Sequence, residues 1–148
     1  MAVEIVEVTG ASGEVLQPGV LAAAEPVHRQ LRPQLESDYT AHLARVFAGG
    51  GRMLAAVEAG AVLGLAVHRV YENITDGRRL YVDDLVTDEA RRSRGTGAAL
   101  LARLEDEARR HGCTMLVLDS GTQRTAAHRF YLRQGMVITS FNFKKQLK

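Results

Sequence analysis

LYVDDLVTDEARRSRGTGAALLARL, residues 80–104, decides the fold of this 148-residue chain. A strand pattern ends inside it, a turn with the sequence R-S-R-G-T-G follows, and an amphipathic helix pattern begins at once. The first backbone N–H groups of a helix lack partners inside the helix and, with the helix dipole, they favour an anion. Gly95 and Gly97 carry no side chain that would keep a phosphate away, while Arg92 and Arg94 add positive charge. The turn therefore predicts an anion site of the phosphate or pyrophosphate kind.

This turn alone does not identify a ligand. A glycine pair between a strand and a helix is also typical of tight packing without any function. The dinucleotide-binding fold expects G-x-G-x-x-G and the P-loop expects G-x-x-x-x-G-K-[ST], and the sequence contains neither pattern.

The elements around the turn predict one α/β domain over residues 1–148. Alternating residues at Val3–Val8 favour a half-exposed strand, and helix patterns between residues 18 and 47 are interrupted by Pro26 and Pro33. The strand–helix–strand unit over 80–118 should place two parallel strands side by side through a right-handed crossover. The other predicted elements are a hairpin of strands 54–57 and 62–70, strand 80–87, helix 96–110, a short buried strand 114–118, helix 124–134 and a final strand 137–143.

Bulk composition is that of an ordinary globular protein, with 46% apolar and 24% charged residues. A formal net charge of +2 argues against a dedicated nucleic-acid binder. No apolar run reaches the roughly 18 residues that span a bilayer, and the start MAVEIVEVTG lacks the features of a secretory signal, so a cytoplasmic protein without a membrane partner is expected. The single cysteine, Cys113, is expected to pack, and the five scattered histidines show no metal-ligand spacing, so no metal is expected.

Two motifs together resemble the GNAT superfamily of N-acetyltransferases. Residues 92–97, R-S-R-G-T-G, match the acyl-CoA signature [Q/R]-x-x-G-x-[G/A], and residues 127–136, AHRFYLRQGM, match the family helix that carries A-x-x-F-Y and ends in glycine. The hairpin AAVEAGAVLGLAV, residues 55–67, is similar to the strands that precede the cofactor-binding half. The resemblance covers about residues 52–147. It departs from the family pattern at Arg124, where many relatives carry Asn, and at Met136, where an aromatic residue is usual.

The resemblance implies a mixed sheet with splayed central parallel strands flanked by helices, and acetyl-CoA as cosubstrate. It implies that Tyr131 protonates the CoA thiolate, for which a phenol with a pKa of about 10 is suited. The alternative role for Tyr131 is a core aromatic beside Phe130. The residues expected to bind the cofactor are Leu85, Val86 and Thr87 along the strand, Arg92, Ser93, Arg94, Gly95, Thr96 and Gly97 in the turn, and Arg124 and His128 near the second motif.

Asp83 and Asp84 stand in the middle of a strand, where Asp is disfavoured. They are the candidates for taking up the proton of the amine or for attracting a cationic amine, with Asp84 slightly favoured. Side chains alternate along a strand, so only one of the two should face the substrate unless a bulge of the family kind shifts the strand. The alternative is a salt bridge with Arg78 or Arg79.

The predicted function is acetyl transfer from acetyl-CoA to the primary amine of a small molecule, by direct attack in a ternary complex. Acceptor specificity is expected from residues 25–45 and 70–78, and the C-terminal half resembles aminoalkylphosphonate and other small-amine acetyltransferases. A protein or peptide N-acetyltransferase and a non-catalytic acyl-CoA-binding regulatory module are the alternatives. A homodimer could form if the strand at 137–143 is a free sheet edge.

Overall fold

The computed structural model describes residues 3–92 and 94–148. They form two compact units, one up to Val117 and one from Leu118 to Lys148. Their elements, in chain order, are β1 Glu4–Glu7, α1 Pro18–Leu31, α2 Tyr39–Ala48, β2 Arg52–Glu58, β3 Ala61–Asn73, β4 Gly77–Thr87, α3 Thr96–Arg110, β5 Met115–Leu118 and α4 Thr125–Arg133, with a single 3₁₀ turn at Glu89–Arg91.

The sheet has the strand order β1-β2-β3-β4-β5, with antiparallel pairing from β1 through β4. The predicted α/β class with a mixed sheet flanked by helices is confirmed. The hairpin of β2 and β3 is confirmed too. Its two turn residues, Ala59 and Gly60, have φ values of 51° and 80°, and positive φ at both positions is the mark of the type I′ turn that fits the twist of the strands.

Helix α3 begins at the predicted residue and lies close against the sheet at Gly64. A Cβ atom on Gly64 would lie 2.9 Å from the Val86 carbonyl oxygen and 3.1 Å from both Leu100 Cδ1 and Thr96 Cγ2. Only a residue without a side chain allows this approach, so Gly64 sets how near the start of α3 comes to β3 and β4. The glycine turn is thereby held at the end of β4.

The N-terminal helices α1 and α2 contribute buried side chains to the hydrophobic core. Helix α1 buries Leu21, Ala24, Val27 and His28 and runs through Pro26, which lies on its exposed side. The prediction that Pro26 interrupts the helix was therefore wrong, because burial of four side chains on one face offsets the backbone hydrogen bond that proline removes.

The unit from Leu118 to Lys148 contains α4, which confirms the predicted helix. Two hydrogen bonds close its end, from the Gly135 and Met136 N–H groups to the Leu132 and Tyr131 carbonyls, and Gly135 has φ 88°. The predicted strand at 137–143 was wrong: within this unit, residues 136–148 form neither strand nor helix, and their apolar side chains such as Phe141 (80% exposed) face solvent. A strand exists only where a neighbouring strand pairs with it, and alternation alone cannot supply that partner.

The predicted strand 114–118 is present as β5, but its residues are half-buried or exposed rather than buried. Among the described residues, no helix is both long and apolar enough to cross a membrane.

Candidate active site

A β-bulge places two carboxylates at one cavity. Val67 of β3 pairs with Asp84 of β4, but the next residue of β3, His68, pairs with Val82, so Asp83 is an extra residue on its strand. Both aspartates line a cavity of about 230 Å³, whose walls come from α1, the α1–α2 connection, α2, β3 and β4. The bulge overrides the alternation that would have turned one of them away.

Asp84 is held by two cationic or polar partners at once. His28 Nε2 lies 2.6 Å from Asp84 Oδ2, and Arg32 lies against Asp84 Oδ1 with its Nε at 2.8 Å and its Nη2 at 2.6 Å. Burial by itself would raise the pKa of Asp84, but the hydrogen bonds from His28 and Arg32 outweigh it and the pKa is lowered. Asp84 is therefore a fixed negative charge in the cavity wall.

Asp83 has the opposite electrostatic situation. Burial raises its pKa, against a hydrogen bond from Arg69 Nε to Asp83 Oδ2 at 2.8 Å. Its side chain is 28% exposed, compared with 15% for Asp84. The alternative of a salt bridge with Arg78 or Arg79 is not what the structure shows: Asp83 pairs with Arg69 of β3, and Asp84 pairs with His28 and with Arg32 at the end of α1.

Behind Asp84 lies a buried hydrogen-bond chain. His28 and Tyr39 are each 2% exposed, and the Tyr39 hydroxyl lies 2.8 Å from His28 Nδ1. Burial, together with the charges of Glu25 and Asp84, raises the pKa of Tyr39, so its phenol stays protonated. These contacts join α1, α2 and β4 at one point.

The glycine turn has the geometry expected of an anion site. Gly95 is the N-cap of α3 with φ 78°, a left-handed conformation that favours glycine, and it offers no side-chain cap. The first hydrogen bond across this junction runs from Ala99 N–H to Gly95 O at 3.0 Å, so the N–H groups before Ala99 are not used by the helix ladder. Arg94 is half exposed and pairs with Glu58 Oε2 at 3.1 Å. Ser93, a predicted cofactor residue, lies outside the described residues.

Thr96 adds an independent sign that a ligand belongs at this turn. Its residue is 4% exposed, yet its Oγ1 atom has no hydrogen-bond partner among the described residues. An unpaired buried hydroxyl is costly, and a bound phosphate oxygen would satisfy it. The residues present at the turn therefore fit an anionic group of the size of a phosphate.

The segment Leu85–Thr87 of β4, where the resemblance implies cofactor binding, lies beyond the end of β5. Thr114 N–H donates to Arg78 O at 2.9 Å, so β5 begins level with the start of β4. Because β5 has four residues and β4 has eleven, Leu85–Thr87 extends beyond the last residue of β5. On its inner side this segment pairs with Gly64–Ala66 of β3. Within the described residues, the outer side of this segment thus has no neighbouring strand.

The second motif lies in the unit from Leu118 to Lys148. Burial raises the pKa of Tyr131, against the charge and hydrogen bond of Arg124, so the phenol is protonated at neutral pH. Arg124 is the N-cap residue of α4, and His128 Nε2 lies 2.8 Å from the Gly121 carbonyl oxygen. Tyr131 and Phe130 contact each other edge to face, with ring centroids 5.4 Å apart.

Sequence reasoning did not find His28 or Arg69 as site residues. His28 falls on the buried face of an amphipathic helix, where a histidine is more often a packing residue, and Arg69 is a polar residue at the end of an apolar run. Arg32 and Tyr39 fall within residues 25–45, from which acceptor specificity is expected, and both belong to the support of Asp84. Among residues 3–92 and 94–148, no cluster of three or more metal-ligating side chains is present.

Comparison with known proteins identifies similarity to N-acetyltransferases. The model of the acetyltransferase (GNAT) family matches residues 20–136. An uncharacterised N-acetyltransferase of Bacillus subtilis is 35% identical over 127 residues, which is 84% of this chain and 89% of that protein. The aminoalkylphosphonate N-acetyltransferase of Salmonella typhimurium is 39% identical over 66 residues, 45% of this chain and 43% of that protein.

Among solved structures, the aminoglycoside N-acetyltransferase AAC(6')-Iy in complex with the bisubstrate analogue CoA-S-monomethyl-acetylneamine superposes with a TM-score of 0.81. The alignment covers 100% of this chain and 99% of that one at 16% identity, which supports a common fold.

Proposed function

This chain belongs to the GNAT acetyltransferase family, and from that premise we propose that it acetylates the primary amine of a small molecule. It is an acetyl-CoA-dependent N-acetyltransferase. The observation that carries the small-molecule proposal is the cavity of about 230 Å³ with both carboxylates in its wall. We further propose that residues 1–148 act as one domain, since the family match at 20–136 runs through both compact units.

In the proposed reaction the amine nitrogen attacks the thioester carbonyl carbon in a ternary complex. The C–N bond forms, the C–S bond breaks, and its electron pair leaves on the CoA sulfur. The amine arrives as an ammonium group, so one proton must leave before attack, and a second leaves the nitrogen as the amide forms. One of the two protons is returned to the thiolate.

The two aspartates divide the work on the amine. Asp84 keeps its negative charge, held by His28 and Arg32, and attracts the ammonium group. Asp83 has the raised pKa and, among the described residues, one ion-pair partner, Arg69, so it is the better proton acceptor of the two. Either carboxylate could reach the amine through one water molecule.

We propose Tyr131 as the acid that protonates the thiolate. Its raised pKa means that the phenol carries its proton when the thiolate departs, so Tyr131 has a proton to donate. The cofactor is proposed to pair its pantetheine amides with Leu85, Val86 and Thr87, and to place its pyrophosphate on the turn residues Arg92, Ser93, Arg94, Gly95, Thr96 and Gly97. Arg124 and His128 are proposed as further cofactor-binding residues.

The acceptor chemistry follows from the cavity wall. Two carboxylates and the guanidinium groups of Arg32 and Arg69 face a space that suits a compact, polar amine. Two relatives point the same way: one acetylates an aminoalkylphosphonate by its name, and another is solved with an acetylneamine analogue. Aminoalkylphosphonates are the better match in size, and they carry an anionic group that an arginine could bind.

The experiment that tests the proposal is a panel of amines incubated with acetyl-CoA and the whole chain, read by release of free thiol. The panel contains aminoalkylphosphonates, amino acids, polyamines, amino sugars and short peptides with free N-termini. Acetyl-CoA should raise the melting temperature by mass action at concentrations near its affinity. Thiol release with a peptide and with no small amine would overturn the small-molecule proposal. A melting shift with no turnover on any amine would favour a regulatory acyl-CoA-binding module.

Tyr131→Phe is the matched variant for this assay. Its turnover should fall by about tenfold or more, while the melting shift with acetyl-CoA stays as in the wild type, because the change removes one hydroxyl group. Unchanged turnover, in conditions where the chemical step limits the rate, would remove Tyr131 from the acid role.

A further inference from the structure

We infer that His28 and Tyr39 are positioning residues for Asp84, and that the hydrogen-bond chain Tyr39–His28–Asp84 sets where this carboxylate stands in the acceptor cavity. The inference rests on the proposed role of Asp84 toward the amine. Tyr39 lies outside the set of residues that line the cavity, so its effect on the reaction would pass through His28.

The hydrogen-bond chain Tyr39–His28–Asp84 connects helices α1 and α2 to strand β4. Tyr39 begins α2, His28 lies in the last turn of α1, and Asp84 belongs to the bulge of β4. The two rings meet edge to face, with centroids 5.6 Å apart and planes at 83°, which leaves the imidazole edge aligned with both oxygen partners. A strand and a helix do not share backbone hydrogen bonds, so the side-chain contact between His28 and Asp84 fixes the position of α1 relative to β4 at the site.

Arg32 cannot do the same work alone. Its side chain is 41% exposed, whereas that of His28 is 2% exposed. An ion pair at the surface is screened by water and holds its partners loosely, but a buried hydrogen bond to a charged group is strong and directional. His28 is thus the partner that defines the position of Asp84 Oδ2.

The proton positions follow from the partners. An ionised Asp84 only accepts hydrogen bonds, and Arg32 already donates to its Oδ1, so the contact at Oδ2 requires a proton on His28 Nε2. The Tyr39 hydroxyl engages Nδ1 and gives the second nitrogen a partner. A flipped ring would lose both contacts and present carbon atoms in their place, so the imidazole has one orientation.

Two substitutions at position 28 separate positioning from packing. His28→Gln keeps an N–H donor at the place of Nε2, whereas His28→Leu fills the space without one. We expect kcat/KM for the amine to fall by about tenfold to a hundredfold in the Leu variant and by about threefold or less in the Gln variant, because only the Leu variant leaves the buried carboxylate without its donor. The Kd for acetyl-CoA should stay unchanged in both. Equal losses in the two folded variants would overturn the inference.

Tyr39→Phe removes the hydroxyl at the far end of the hydrogen-bond chain and keeps the buried ring. Its kcat/KM for the amine should fall by a smaller factor than that of His28→Leu, with the Kd for acetyl-CoA again unchanged. Wild-type kinetics in this variant would remove Tyr39 from the positioning role.

A measurement without any substrate distinguishes this inference from the proposed function. Long-range ¹H–¹⁵N spectra of the histidine side chains in the whole chain report which ring nitrogen carries the proton. We expect the His28 signal, assigned by its loss in His28→Gln, to show a proton on Nε2. A neutral imidazole protonated only on Nδ1 would overturn the inference, even if the acceptor amine had been identified.

Discussion

Asp83 and Asp84 are consecutive in β4 and line the same cavity, yet their pKa values move in opposite directions. Burial acts on both and raises the pKa. For Asp83 it prevails over the hydrogen bond from Arg69, whereas for Asp84 the hydrogen bonds from His28 and Arg32 prevail and the pKa is lowered. Two groups whose environments separate their pKa values are suited to two different roles in one reaction.

The first prediction concerns this division. Asp83→Asn should lower kcat by about a hundredfold and flatten the acidic limb of the pH profile, because the group with the raised pKa is lost. Asp84→Asn, the matched variant, should chiefly raise the KM for a cationic amine. Both are measured by steady-state kinetics across pH, with acetyl-CoA saturating. If Asp83→Asn keeps the acidic limb and the rate, the proton acceptor is a different group.

The second prediction concerns Thr96. Thr96→Val preserves the methyl group near Gly64 and removes the buried Oγ1 atom that lacks a partner. The free protein should therefore become more stable by about 1 kcal/mol, while the affinity for acetyl-CoA falls, because the hydroxyl is useful only when a phosphate oxygen accepts from it. Thermal melting without cofactor and calorimetric titration with it measure the two effects. A loss of stability together with unchanged affinity would show that the hydroxyl has a structural role instead.

The sequence predicts the cofactor half of this molecule better than the acceptor half, for a physical reason. Gly95 needs a positive φ and α3 needs an amphipathic stripe, and both are local properties that a few residues determine. The partners of Asp84 stand 52 and 56 positions away, at the C-cap of α1 and in its last turn. No local pattern fixes which residues of one helix will face which residues of a strand.

The bulge at Asp83 and the segment 137–143 show the same limit. A bulge adds one residue to one strand of a pair, so it belongs to the pairing of β3 with β4 rather than to the sequence YVDDLV. Alternating residues at 137–143 satisfy one requirement of a strand, but a paired neighbour is the other. In both cases the outcome depends on whether a remote part of the chain pairs with the segment, and the local sequence does not determine this.

The third prediction concerns the approach of α3 to the sheet. Gly64→Ala places a Cβ atom 2.9 Å from the Val86 carbonyl oxygen and 3.1 Å from Thr96 Cγ2. The start of α3 must shift, so the free energy of unfolding should fall by about 1–3 kcal/mol and acetyl-CoA should bind more weakly. Gly19→Ala in α1 is the control, since nothing lies within 4 Å of its Cβ position, and it should stabilise slightly. Weaker binding in the control, or none in Gly64→Ala, would contradict this account of the glycine.

The fourth prediction concerns His68, which is 5% exposed and has a buried Nδ1 atom without a partner among the described residues. Burial lowers its pKa from 6.5 to about 4, despite the opposing charge of Glu107. In the unfolded chain the imidazole takes up a proton below pH 6.5, while in the folded chain it does so only near pH 4. Between these values the unfolded state binds more protons, so the free energy of unfolding falls as the pH falls.

Acidification from about pH 7.5 to about pH 5 should therefore lower the free energy of unfolding of the wild type by about 2 kcal/mol through His68 alone. His68→Leu removes this titration while filling the same buried space. Over the same pH range, the difference in free energy of unfolding between the variant and the wild type should shift by that amount in favour of the variant. Urea unfolding at both pH values, with equal m-values, measures this difference. A stability difference between variant and wild type that does not change with pH would show that His68 titrates alike in the folded and unfolded chain.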